Sequence, residues 1–160
     1  MIMKFTRSKS ILKTITKSTK TYIFKTNLLR DKKIIREIEA PESINLYKLA
    51  EAIVGAYDFD FDHCFGFFSK IAENRYFDAE KHYELFTDLI AKGEDVEPTG
   101  AGSVKKTKIS EVWKKVGDKM MFLFDYGDSW QFVIELKGFD QKQSKQKYPR
   151  VLQGIGKAPE

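Results

Sequence analysis

KMMFLFDYGDSWQFVIELKG, residues 119–138, sets two runs of strand-forming residues on either side of a short polar turn. Gly127, Asp128 and Ser129 supply the turn, and Trp130, Phe132, Ile134 and Leu136 fall at alternate positions. The stretch therefore predicts an antiparallel hairpin with one face turned to a core.

Outward from that hairpin the same texture recurs. YIFKTNLL (22–29) and IIREIEA (34–40) flank the polar break DKK and predict a second antiparallel pair, which Pro41 ends because it has no amide to donate. Ser43 is placed to cap a helix over 43–57, where Leu46, Leu49, Ala50, Ile53, Val54 and Tyr57 recur at helical spacing and Asn45, Lys48 and Glu51 are left to water. CFGFFSK (64–70) predicts a buried strand, with RYFD (75–78) pairing back upon it. Residues 80–91 carry a helical stripe through Tyr83, Phe86 and Ile90, and the Gly- and Pro-rich stretch 93–106 reads as an exposed loop. Ile109, Val112, Trp113 and Val116 fit one face of a short helix closed by Gly117. Residues 141–160 read as a turn-rich tail anchored at Tyr148, Val151, Leu152 and Ile155. This order of elements predicts an α+β fold: a mainly antiparallel sheet with helices packed on one face, in a single domain over 21–160 behind a basic leader, 1–20.

Of the 160 residues 42% are hydrophobic and 14% aromatic, so a packed core is expected rather than disorder. Cys64 is the one cysteine, which excludes an intrachain disulfide. With no apolar run of signal or membrane-spanning length, a soluble, cytoplasmic protein is expected. Net charge is +5, unevenly placed: residues 1–36 hold eleven Lys or Arg against the single acid Asp31, a balance of +10, and the remainder holds 17 against 22, a balance of −5. That asymmetry suits an acidic partner such as nucleic acid, although a solvated basic arm would show it too.

Chemistry-bearing residues are sparse. Asp125, Tyr126, Asp128 and Trp130 crowd the hairpin turn, where aspartates accept backbone amides and Gly127 is suited to positive φ, so structure alone accounts for them. Asp58, Asp60, Asp62 and His63 form a second cluster: in an extended chain the three carboxylates share one face and, with the imidazole, suit a divalent ion, but alternation with Phe59 and Phe61 is also what a half-buried strand shows. Of the two histidines, His63 precedes a buried strand and His82 sits in a polar helix start. No phosphate-binding glycine loop, nucleophile elbow, HExxH or CxxC is present. No metal and no cofactor are expected, and Cys64 reads as a buried, inert thiol.

These segments, closed by YPRVLQGIGKAPE (148–160), resemble the Ri-plasmid ORF-three-like family, also labelled TnpR-like passenger proteins of insertion elements. The resemblance covers most of residues 22–160. It implies a compact α+β domain often carried on mobile elements. It implies no resolvase chemistry, since no nucleophilic serine among arginines occurs here. Many relatives have a histidine where this chain has Phe132 and cysteines near Val151 and Ala158, so His63, Asp125, Asp128 and Trp130 are what remains of the pattern. The function expected is a non-catalytic binding module that contacts nucleic acid, or a protein bound to it, through Lys4, Arg7, Lys9, Lys13, Lys17 and Lys20. The alternatives are a small enzyme or ligand-binding protein with a pocket near Asp125, Tyr126, Asp128 and His63, and an adaptor that docks a partner strand.

Overall fold

The computed structural model describes residues 18–159. Seven strands form one sheet in the order β4-β3-β5-β6-β1-β2-β7, every neighbouring pair antiparallel. They are β1 (Lys20–Leu28), β2 (Ile35–Pro41), β3 (Phe65–Phe68), β4 (His82–Glu84), β5 (Lys119–Phe124), β6 (Trp130–Gln141) and β7 (Arg150–Ile155). The helices among the described residues are α1 (Leu46–Ala56), α2 (Leu85–Ala91) and α3 (Ile109–Val112). The α+β class and the antiparallel sheet agree with the sequence reading.

The core forms because alternate strand residues and one helical stripe find each other. Phe24, Ile38, Phe67, Phe122, Phe132 and Ile134 are fully buried in one cluster with Leu46, Leu49, Ile53 and Val54 of α1 and with Trp113. Strand alternation sends Phe68 to the opposite face from Phe67, and there Phe68, Met121 and Leu123 form a smaller cluster with Leu29, Tyr76, Ala79 and Tyr126. Trp113 Nε1 donates to the Ile134 carbonyl at 3.1 Å, satisfying its buried N–H.

Local structure departs from expectation at several points. Asn45, not Ser43, caps α1: its side chain accepts the Lys48 amide at 2.8 Å, so the helix starts later. Residues 75–78 do not pair with β3, because Tyr76–Asp78 close a 3-10 turn and His82–Glu84 take the edge position. The stripe through Tyr83 is accordingly half strand, and α2 begins only at Leu85. The 93–106 stretch is pinned at its far end, where Val104 is fully buried and its amide donates to Asp88 Oδ2 at 3.0 Å. Helix α3 is a single turn that leaves Val116 54% exposed. The tail supplies β7, missed because a bulge and Gly154 break its alternation, and Val151 and Ile155 face water rather than anchoring it.

An ion pair ties β7 in place. Glu39, 1% exposed, accepts Thr21 Oγ1 at 2.6 Å, and its other oxygen takes the Arg150 guanidinium at 2.9 and 3.0 Å. Arg36 works on the opposite face: its Nε donates to the Ala56 carbonyl at 2.9 Å, a cation at the negative end of α1, and its Nη1 reaches Ile155 O at 3.1 Å.

Candidate functional site

The β5–β6 turn carries the densest polar cluster. Asp125 and Ser129 adopt left-handed backbone, φ 64° and 56°, and the Ser129 amide donates to Asp125 O at 2.6 Å. The positive φ expected of Gly127 falls on these residues instead; an aspartate tolerates it because its side chain bonds locally. Asp125 Oδ1 accepts the amides of Gly127 at 3.0 Å and Asp128 at 3.3 Å. Trp130 lies against Phe59, ring centroids 4.8 Å apart.

Of the residues singled out from sequence, His63 and Asp125 meet. The Asp125 amide donates to Cys64 O at 2.9 Å, which registers the turn on the chain entering β3. His63 Nε2 then stands 3.5 Å from Asp125 Oδ2, and its Nδ1 is 2.6 Å from Asp62 Oδ1. The ring sits edge-on to Phe124 at the rim of an open hollow of about 330 Å³ lined by Tyr47, Phe61, Leu85 and Leu89. Both imidazole nitrogens thus face carboxylates, Asp62 at hydrogen-bond distance and Asp125 at ion-pair distance. Asp58 has φ 62° and residues 58–62 form no strand, so the acids expected on one extended face do not align there. Among the described residues no group of three His, Cys, Asp or Glu side chains is placed to hold a metal ion. Burial pushes the Cys64 thiol pKa up, away from the reactive thiolate.

Tyr126 and Asp128 diverge from that pair. Tyr126 turns to the other face of the sheet and donates to Glu84 Oε2 at 2.5 Å, while Glu84 Oε1 meets His82 Nδ1 at 3.1 Å. Burial first, and Glu84 second, raise the Tyr126 pKa far above the ordinary tyrosine value, so it stays a neutral donor. Gly66 makes room for this pair, since a Cβ there would lie 2.9 Å from both Tyr126 Oη and Glu84 Cγ. Asp128 is exposed at the rim of a hollow of about 100 Å³ with Arg30, Trp130 and Gln131, and its carboxylate accepts no turn amide. Glu84 is not singled out by the sequence, and His82 reads there as a polar helix start, because the periodicity of residues 80–91 predicts a helix. The strand-like alternation of His82 and Glu84 was the available signal.

A second polar region lies where the chain enters the sheet. Lys20 opens β1 opposite Gln141 at the end of β6, and the Lys142 amide donates to Thr19 O at 2.8 Å. The loop 142–150 holds Lys142, Lys145, Lys147 and Arg150 with no acid, and Arg150 alone among them is committed to Glu39. Lys20 Nζ lies 4.2 Å above the Phe139 ring. The other leader cations, Lys4, Arg7, Lys9, Lys13 and Lys17, lie outside the described residues.

Fold and site together define a sheet-dominated α+β protein with a histidine set between two aspartates beside the β5–β6 turn. A model of the plasmid pRiA4b ORF-3-like proteins matches residues 20–160, and the chain belongs to that family. It is also similar to the crystal structure of a protein of unknown function, MM3350 from Methanosarcina mazei Go1, with 20% identity over 89% of this chain and 73% of that one, at a TM-score of 0.68. That likeness concerns the fold alone. No curated protein matches the sequence, and no described helix is long and apolar enough to cross a membrane.

Proposed function

We propose that the protein is a non-catalytic, cytoplasmic nucleic-acid-binding module associated with mobile elements, acting as one domain with its helices on one face of the sheet. The observation that carries this reading is the bond from Lys142 N to Thr19 O, which joins two basic segments remote in sequence at one end of the sheet. Lys20, Lys142, Lys145 and Lys147 lie at that end, and the segment 1–20 that leads into β1 holds six Lys or Arg and no acid in its sequence. Cations gathered on one margin bind phosphates without sequence preference, releasing counterions, so affinity falls as salt rises.

Titration of a labelled duplex with the full chain, by fluorescence anisotropy at two salt concentrations, tests the reading. Salt-sensitive binding that weakens in a Lys142→Gln, Lys145→Gln, Lys147→Gln variant is expected. Binding indifferent to these lysines contradicts it.

A second reading rests on the Asp62–His63–Asp125 arrangement beside its hollow, which suits a small ligand held near the turn. Its test is a ligand that shifts the His63 ring resonances and loses affinity in Asp125→Asn.

A further inference from the structure

We propose that this basic margin takes single-stranded rather than duplex nucleic acid, with Phe139 as the surface on which a base stacks. The inference rests on the nucleic-acid reading above and names its substrate class.

Phe139 is 42% exposed on a part of β6 that no longer serves the core: Lys137, Asp140 and Gln141 around it are exposed as well. Its ring is held upright by an edge-on contact with the buried Tyr22, centroids 5.1 Å apart at 75°. Lys20 Nζ rests over the ring at 4.2 Å, and Lys142 follows three residues on. A rigid aromatic ring among cations, on a strand margin, is the arrangement in which bases stack while lysines follow the backbone. Phe77, 64% exposed on the 3-10 turn, lacks this setting, since among the described residues no cation is placed over its ring. A duplex hides its base faces and offers Phe139 nothing without unstacking, whereas a single strand offers a face at every nucleotide.

The test uses the full chain with labelled oligo-dT, labelled oligo-U and a duplex of equal length at one low salt concentration. Tighter binding of single strands than of duplex is expected. Phe139→Leu is expected to weaken single-strand binding by about tenfold while leaving duplex binding unchanged, and Phe139→Trp to retain it. The dT and U strands should both depend on Phe139. An unchanged unfolding midpoint in each variant excludes a folding defect. Equal affinity for duplex and single strand, or single-strand binding indifferent to Phe139→Leu, overturns this inference while salt-sensitive binding preserves the broader reading. Absence of binding to all three probes removes both.

Discussion

His63 Nε2 stands 3.5 Å from Oδ2 of Asp125, whose other oxygen is occupied by the amides of its own turn. The aspartate is therefore held by backbone geometry before it meets the histidine. Asp128, three residues on, accepts none of those amides, so the two aspartates of the turn should respond differently to substitution.

Asp125→Ala should destabilise the protein by about 1–2 kcal/mol, the usual cost of losing a cap-like acceptor, with the positive φ adding to it. Asp125→Asn keeps an acceptor and tolerates that backbone, so it should cost less. Asp128→Asn should fall within about 0.5 kcal/mol of the parent, as for most exposed positions. Urea unfolding of the three variants measures the ranking.

Replacing Arg150 by Met leaves the Glu39 carboxylate buried with Thr21 as its remaining side-chain partner. Breaking such a pair costs roughly 3–5 kcal/mol, and the lower end is expected because the Arg150 side chain is 28% exposed. Denaturant unfolding checks the loss, and hydrogen exchange should show the β2 and β7 amides opening first.

Gly66→Ala should cost about 1–3 kcal/mol through overpacking against Tyr126 and Glu84. Tyr126→Phe in the same chain removes the hydroxyl that the new methyl group meets, so the double variant should be more stable than the sum of the single changes predicts. A thermodynamic cycle from chemical denaturation supplies the coupling, and strict additivity would show that the cradle is not shared.

Much of the fold was legible because it rests on local periodicity. Leu46, Leu49, Ile53 and Val54 repeat at helical spacing, and Phe132, Ile134 and Leu136 alternate, so α1 and β6 could be read directly. Failures fell where tertiary contacts outweigh pattern: Asn45 rather than Ser43 caps because α1 starts beside the Lys108 bridge, and β7 exists because Glu39 holds Arg150. At the site, the pairing of His63 with Asp125 was open to suspicion from sequence, but the departure of Tyr126 toward Glu84 depends on a strand pairing that residues 80–91 concealed.

Asp118 provides the acid dependence. The Lys114 amide at 2.7 Å is the main cause holding its pKa below the ordinary carboxylate value; partial burial opposes this, and the Lys115 amide at 3.1 Å and ammonium at 3.5 Å reinforce it. A depressed folded-state pKa gives stability that is complete above the unfolded value and lost as pH falls through the folded one. The stability gap between the parent and Asp118→Asn should therefore be constant near neutrality and narrow below about pH 4. Unfolding curves across that range test it, and a gap that widens on acidification would reverse the assigned sign.

The slope of log affinity against log salt for the full chain on a labelled single strand bears most directly on the nucleic-acid interface. A clearly negative slope is predicted, becoming shallower by about one for each of Lys142, Lys145 and Lys147 that contacts a phosphate and is replaced by Gln. A slope near zero, or one that the three replacements leave unchanged, would contradict the assignment of this basic margin to nucleic acid.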